Sequence, residues 1–231
     1  MKYPYKSCLG FLFLFLSSLS IAQVDDDPLG GWYTYNFDIP YQETPWGING
    51  EVQYTGYEVD GDLNWFLVRA GVTYSLKESR VRFALGYGHA TFGVIGPDDS
   101  KVTENRIYQE MKLPSKLFGL TFNHRFRYEQ RFFNGFFRSR VRYGLFVNIP
   151  IGKKQIEANT FYLSLYNELF LNGERRLKNG AEIPSLFDQN RVYAAAGYAF
   201  SKDFKIQLGA MRLIRETDDR MTLQVSLHHK I

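Results

Sequence analysis

Hydrophobic and polar residues alternate along most of this chain, so that residues of one kind recur at every second position. The last segment shows the pattern most clearly, with Met221, Leu223 and Val225 on one face and Thr222 and Gln224 on the other. A period of two is the spacing of a β-strand, whose successive side chains point to opposite sides of the sheet. The alternation therefore predicts an all-β protein.

Ten strands are predicted from the alternation and from the turn residues that interrupt it. Turn-forming sequences such as Asp60-Gly61-Asp62 and Asn134-Gly135 separate the alternating segments. Many of these segments are long for a soluble sheet but suit a tilted membrane crossing. The predicted strands are 31–38, 47–58, 63–75, 80–92, 117–132, 136–149, 159–172, 188–200, 203–214 and 220–231.

The segment 104–112, with the sequence ENRIYQEMK, has two interpretations. It is either a loop or an additional strand that ends at Pro114-Ser115. Single-chain bacterial barrels usually have an even number of strands. We therefore expect a loop here and a transmembrane, antiparallel, up-and-down β-barrel of about ten strands, with about twelve as the alternative count.

The beginning of the chain has a different pattern. Lys2 and Lys6 precede an apolar run at 9–16, and the small-residue site Ser20-Ile21-Ala22 follows it. This is the order of a secretory signal, and the run is short for a membrane-spanning helix. We predict a cleaved signal peptide at 1–22, a short acidic linker at 23–30 and a barrel at 31–231, with an uncleaved anchor as the alternative for the first segment.

Composition supports a membrane barrel over a soluble one. Aromatic residues make up 17% of the chain and hydrophobic residues 45%, yet the mean hydropathy is −0.30. Strands with one face to lipid and one to a polar lumen reconcile these values. We expect an outer-membrane location, with membrane lipid as the surroundings and the barrel-assembly machinery as a partner in biogenesis, because the last strand ends on the apolar Ile231. A soluble periplasmic barrel or sandwich is the alternative.

Net charge and cysteine content bear on two further questions, binding to nucleic acid and disulfide formation. The formal net charge is +4, but the basic residues are spread through the strands and do not form a tail or patch. Nucleic acid is therefore not an expected partner. The one cysteine, Cys8, lies in the predicted signal peptide, so we expect no disulfide in the mature chain.

Charged residues, chiefly arginines, share the polar face of several predicted strands. Neighbouring strands lie about 4.8 Å apart, so such side chains can meet inside a barrel. The predicted lumen cluster is Arg125, Arg127, Glu129, Arg131, Arg138, Arg140, Arg142, Glu168, Asp188, Asn190 and Arg191. We favour a lumen filled by these side chains, since barrels of about eight strands are filled and open channels need about sixteen. An electropositive constriction that selects anions is the alternative.

Catalytic, cofactor and metal sites are not predicted. Among the histidines, only His89 is considered as a catalytic group, and the sequence places no Ser or Asp beside it as a partner. His124 is expected at a membrane interface. The adjacent His228 and His229 point to opposite faces of a strand and do not form a metal site. A lipid-modifying enzyme remains the third alternative, and the basic segment 173–186 could bind a partner.

Several stretches of the sequence carry a family resemblance. They are NHRFRYEQRF at 123–132, SRVRYGLFVNIP at 139–150, LYNELFLN at 165–172 and FDQNRVYAAAGYAFS at 187–201, with GGWYTY and VRAGVTYSL nearer the start. Together they resemble a domain-of-unknown-function family of small outer-membrane β-barrels from gram-negative bacteria. The resemblance covers nearly the whole mature chain and implies an outer-membrane barrel with no established activity.

Overall fold

The computed structural model describes residues 28–94, 100–174, 180, 182 and 185–231. The predicted signal peptide at 1–22 and most of the predicted linker lie outside these residues. The described chain forms eleven strands and contains no helix long and apolar enough to cross a membrane. The strands are β1 Gly30–Pro40, β2 Trp46–Gly56, β3 Leu63–Ser75, β4 Arg82–Phe92, β5 Val102–Leu117, β6 Leu120–Phe133, β7 Phe136–Pro150, β8 Thr160–Asn172, β9 Phe187–Ala199, β10 Phe204–Ile214 and β11 Asp219–Lys230.

The strands form one closed barrel in which each strand pairs with its neighbours along the chain. All of these sequential pairs are antiparallel, and the barrel closes by parallel pairing of β1 with β11, from Gly30 opposite Thr222 to Asp38 opposite Lys230. An odd number of up-and-down strands leaves the first and last strands running in the same direction, so this closure has to be parallel. The predicted all-β, up-and-down barrel is confirmed, with a strand count between the predicted ten and twelve; the structure differs in one pairing, the parallel contact between β1 and β11.

The additional strand is β5, whose sequence we had favoured as a loop. Its inward positions include Glu104, Arg106 and Glu110, while Asn105 and Gln109 lie on the outward face. Both faces carry polar residues, so the apolar alternation that marks the other strands is weak here. A two-residue turn with positive φ at Phe118 and Gly119 then joins β5 to β6, as a tight hairpin requires.

The two faces of the barrel have opposite polarity. Large apolar side chains are exposed on the outside, as at Leu85 and Leu208, which are 60% and 54% exposed. Charged side chains are buried inside, and Arg106 and Glu129 are 1% and 0% exposed. A soluble protein buries its apolar residues and seldom buries a charge, so this barrel has the reverse arrangement.

We refer to the two ends of the barrel by the residues of β1 that lie there. The Pro40 end holds the end of β1 and the β1–β2 turn, and the Gly30 end holds the start of β1 and the β2–β3 turn. Because the strands alternate in direction, loops 41–45, 76–81, 118–119, 151–159 and 200–203 lie at the Pro40 end. Loops 57–62, 134–135 and 215–218 lie at the Gly30 end, where the connections from Phe92 to Val102 and from Asn172 to Phe187 also begin and end.

Glycines on the inner face make room for buried aromatic rings. A Cβ atom added to Gly86 would overlap the ring of Tyr108, and one added to Gly197 would overlap the ring of Tyr162. Both tyrosines are almost completely buried. Side chains therefore fill the interior closely enough that some strand positions tolerate only hydrogen.

Candidate functional site

The centre of the barrel is organised around Glu129 of β6, whose carboxylate contacts four arginines. Arg140 donates from Nε and Nη2 to one carboxylate oxygen at 2.9 and 2.7 Å. Arg142 donates from Nη1 to the other oxygen at 2.7 Å. Arg106 and Arg127 lie within 3.5 and 3.6 Å of that second oxygen. These positions come together because β5, β6 and β7 are adjacent and all four arginines point inward.

Two further glutamates extend the network around the lumen. Glu168 of β8 accepts from Nε and Nη2 of Arg142 at 2.9 and 2.8 Å and from Arg125 at 2.7 Å. Arg142 therefore bridges Glu129 and Glu168. On the other side, Glu104 of β5 accepts from Arg106 at 2.6 Å and from Arg131 at 2.7 Å. The result is a continuous chain of charged pairs across β5, β6, β7 and β8.

The network continues along the barrel toward the Pro40 end. Glu110 accepts from Nε of Arg127 at 2.7 Å and lies 3.3 Å from Nζ of Lys112. Glu51 of β2 pairs with Arg69 of β3. Burial of single charges would be very costly, but buried ions that are paired and hydrogen-bonded on several sides are tolerated. The network thus fills the interior with polar groups that largely satisfy one another.

Arg191 of β9 is held by aromatic rings. Its guanidinium carbon lies 4.8 Å from the ring centre of Trp32, 5.8 Å from that of Trp65 and 4.6 Å from that of Phe170. When the amide of Gln189 is oriented with its oxygen toward Arg191, that oxygen accepts two hydrogen bonds at 2.9 and 3.1 Å. Cation–π contacts of this kind stabilise a desolvated guanidinium without a carboxylate partner.

Ten of the eleven residues of the predicted lumen cluster point into the barrel. At the Gly30 end, Arg138 donates to Asn172 at 2.7 Å, and Asp188 accepts from Arg140 at 3.0 Å. The placement of Asn190 was wrong: it pairs with Leu169 and exchanges hydrogen bonds with Asn167 on the outer face. Neighbouring residues of a strand point to opposite sides, so Asn190 cannot share the face of Arg191.

Asp188 reaches the interior because the strand is irregular beside it. The register between β8 and β9 shifts at Phe170 and Leu171, which leaves Asp188 unpaired in the ladder. An extra residue of this kind redirects the side chains next to it. From Gln189 onward every odd-numbered residue of β9 is buried, and Val192 is the one even-numbered residue that is buried as well.

Sequence analysis missed part of the network, namely the charges on β2, β3 and β5. These residues are Glu51, Arg69, Glu104, Arg106 and Glu110. The sequence has charged residues at positions 104, 106 and 110, which would share one face of a strand, but the segment is expected to be a loop. Glu51 and Arg69 each stand as one charge on an otherwise uncharged inner face, so nothing local identifies them as partners.

Three cavities lie along the barrel. The central cavity has a volume of about 180 Å³, the Pro40-end cavity about 460 Å³ and the Gly30-end cavity about 210 Å³. Arg69 and Arg125 line both the central and the Pro40-end cavities. Arg191, Trp32 and Trp65 line both the central and the Gly30-end cavities. Side chains of the network therefore stand between one cavity and the next.

A separate hydrogen-bonded chain lies on the outer face near the Pro40 end. Oγ of Ser115 lies 2.9 Å from Nε2 of His124, and Nδ1 of the same ring lies 2.9 Å from the hydroxyl of Tyr143. The three residues come from β5, β6 and β7. Sequence analysis expects His124 at a membrane interface and does not connect it with Ser115, which lies outside the predicted strands. His89, the histidine singled out from the sequence, contacts Asn105 on the outer face.

Within the described part of the chain, no group of three or more His, Cys, Asp and Glu side chains is arranged to hold a metal ion. The acidic side chains of the interior face arginines instead. The chemistry that the interior offers is therefore ion pairing and anion recognition.

Comparison with known proteins assigns the chain to a family. The model of a protein family of unknown function, DUF2490, matches residues 29–224. The chain belongs to this family. The match covers β1 to β10 and half of β11, so the barrel is the structure of the family region in this chain. No curated protein and no solved structure gave a significant match.

Proposed function

We propose that this protein is an outer-membrane β-barrel with a structural or accessory role, whose lumen is closed by the arginine–glutamate network. The observation that carries the proposal is the reversed polarity of the barrel. Large apolar side chains such as Leu85, Tyr87 and Leu208 are exposed around the outside, while Glu129 and Arg106 are buried inside. Exposure of so many large apolar side chains is unfavourable in water but favourable in contact with the hydrocarbon core of a bilayer.

The closed lumen is supported by the way the side chains are held. Arg142 makes three hydrogen bonds of 2.7–2.9 Å to Glu129 and Glu168, and Arg140 makes three of 2.7–3.0 Å to Glu129 and Asp188. An ion that crossed the centre would have to break several charge-assisted bonds at once. Eleven strands also give a barrel closer in width to the filled eight-stranded class than to the open pores of about sixteen strands.

Loop lengths suggest an orientation. Each end has one two-residue turn, 118–119 at the Pro40 end and 134–135 at the Gly30 end. The longest connection, of 14 residues between Asn172 and Phe187, joins strand ends at the Gly30 end, and the longest at the Pro40 end, 151–159, has nine residues. Bacterial barrels have short periplasmic turns and longer extracellular loops. The proposed orientation therefore puts the Gly30 end outside and the Pro40 end in the periplasm.

Conductance of the refolded barrel in a planar bilayer tests the closed lumen. We expect no discrete conductance steps from protein whose folding is verified by a heat-dependent shift on a denaturing gel. Discrete, anion-selective steps that fall when Arg127, Arg140 or Arg142 is replaced by Gln would contradict closure and establish the alternative, a narrow anion channel. Recovery of the native protein in the soluble periplasmic fraction would refute the membrane proposal itself.

A second candidate function, hydrolysis of lipid esters, rests on Ser115, His124 and Tyr143. Their spacing matches a hydroxyl nucleophile, a base and a group that orients the base. Ser115 would attack the ester carbonyl as His124 accepts its proton at Nε2, and the same proton would pass to the leaving alcohol before water releases the acid. Purified protein in mixed micelles should then release fatty acid, and Ser115→Ala should abolish the release. An equal rate for the wild type and the variant would eliminate this function.

A further inference from the structure

The Pro40-end cavity is the largest of the three and has a strong excess of positive charge. Seven of its lining residues are arginines or lysines, and three are aspartates or glutamates. Two of the three acidic residues are already neutralised, since Asp38 is bound by both terminal nitrogens of Arg82 at 2.5 and 2.9 Å and Glu51 is paired with Arg69. Three of the remaining cations, Lys112, Arg125 and Arg127, pair with Glu110 and Glu168, which lie just outside the lining. The excess positive charge is therefore carried chiefly by Lys205 and Lys230, with Asp203 as the one further carboxylate of the lining.

Several nitrogen donors around this cavity have no hydrogen-bond partner among the described residues. They are Nε of Arg82, Nε of Arg125 and Nη1 of Arg127. Arg127 is only 4% exposed. The Nη1 atom of Arg127 lies 3.6 Å from a carboxylate oxygen of Glu129. A buried donor without a partner costs free energy, so an acceptor that drew one of these guanidinium groups toward the cavity would relieve that cost.

We propose that the Pro40-end cavity binds the phosphoryl group of a small, water-soluble molecule. Arg82 is on β4, Arg125 and Arg127 on β6, Lys205 on β10 and Lys230 on β11, so donors face the cavity from opposite walls. A planar carboxylate presents its oxygens in one plane, whereas a phosphoryl group presents several oxygens in different directions and pairs well with guanidinium.

Size and access fit the same class of ligand. A volume of about 460 Å³ falls within the range of small-molecule sites and leaves room for an organic group beside the phosphate. Lys230, at the rim, is exposed to solvent. The charged side chains that line the cavity belong to the inner face of the barrel, so we expect the ligand to reach it from water along the barrel axis. The site depends on the inner face of the barrel and not on its proposed cellular location.

The test is titration of the full-length refolded barrel with inorganic phosphate by calorimetry, at low ionic strength in a neutral, phosphate-free detergent. We expect saturable binding to one site. The double variant Lys205→Gln, Lys230→Gln should weaken it about tenfold, because two partly screened charges are removed from the ligand's surroundings. These residues lie toward the rim and outside the central network, so the variant should keep the heat-dependent gel shift of a folded barrel.

Two control variants locate the site. Lys153→Gln removes an exposed lysine from the 151–159 turn at the same end of the barrel, where Nζ contacts Glu157 at 3.1 Å, and should leave phosphate affinity unchanged. Arg215→Gln removes a cation from the Gly30-end cavity and should also have no effect. Absence of saturable binding, or binding that is lost in Arg215→Gln and retained in the double lysine variant, would overturn the proposal.

The source of the phosphoryl group is tested in nanodiscs. Phosphate affinity should be the same in bilayers of phosphatidylglycerol and of a phosphate-free anionic glycolipid of equal charge density, because lipid headgroups lie outside the barrel wall and the surface potential is matched. A phosphate titration that is suppressed by phosphatidylglycerol would refute a water-soluble ligand and indicate a lipid headgroup in the cavity.

Discussion

Replacement of Glu129 by Gln is the sharpest test of the network, because it removes one negative charge and almost no volume. The Glu129 carboxylate is fully buried and accepts three hydrogen bonds of 2.7–2.9 Å from Arg140 and Arg142. The amide keeps one acceptor oxygen, but its NH₂ group would face the guanidinium donors that now point at the other oxygen. Removal of one partner from a buried ion pair costs about 3–5 kcal/mol.

Two features of the structure place the expected loss inside that range. Arg142 still has Glu168 and Arg140 still has Asp188, which limits the loss. Arg106 would stay in the same cluster but would lose an acceptor that now lies 3.5 Å away, which increases the loss of stability. We therefore expect Glu129→Gln to lower the free energy of unfolding by about 4 kcal/mol.

The measurement is guanidinium-induced unfolding of the barrel in lipid vesicles, followed by the fluorescence of the three tryptophans. The matched control is Glu157→Gln, which removes an exposed carboxylate whose partner is Lys153 at 3.1 Å. An exposed pair of this kind contributes about 0.2–1 kcal/mol. A loss below about 1 kcal/mol for Glu129→Gln, in a variant that still folds, would show that the network does not stabilise the barrel in the way argued here.

Three further predictions address the outer face, the packing and the closure of the barrel. Leu208→Arg, midway along β10 on the outer face, should cost about 2–4 kcal/mol in vesicles, and an unchanged unfolding midpoint would argue against lipid contact. Gly197→Val should lower the gel-shift temperature, since its side chain would overlap the ring of Tyr162; wild-type thermal stability would contradict a closely filled interior. Cysteines at Thr34 and Ser226, which are paired across β1 and β11, should form a disulfide under oxidation that changes gel mobility, and failure to form it in folded protein would refute the parallel closure.

The inner row of charge on β6 and β7 could be predicted because it depends on local geometry alone. Arg125, Arg127, Glu129 and Arg131 follow one another at every second position, and any strand that contains them must place them on one face. The same rule excluded Asn190 from the face of Arg191. That error came from treating neighbours in sequence as neighbours in the lumen.

The partners within the network could not be predicted, because they depend on register. Arg142 is opposite Phe170 in the β7–β8 ladder and reaches Glu168 diagonally. A change of register by one residue would turn Glu168 to the outer face. The chain Ser115–His124–Tyr143 on the outer face depends in the same way on the registers of two hairpins.

By itself, the sequence determined that the chain forms long strands with one apolar and one charged face. It also determined where most strands begin and end, since most of the predicted bounds lie within about two residues of the observed ones. These properties follow from a period of two, which each segment expresses independently of the others. Only the tertiary structure decided that β5 is a strand, that eleven strands close through a parallel seam and that each buried carboxylate has particular arginine partners. The physical reason is that closure and pairing join residues far apart in the chain, as when β1 meets β11, and their free energy depends on the whole set of registers at once.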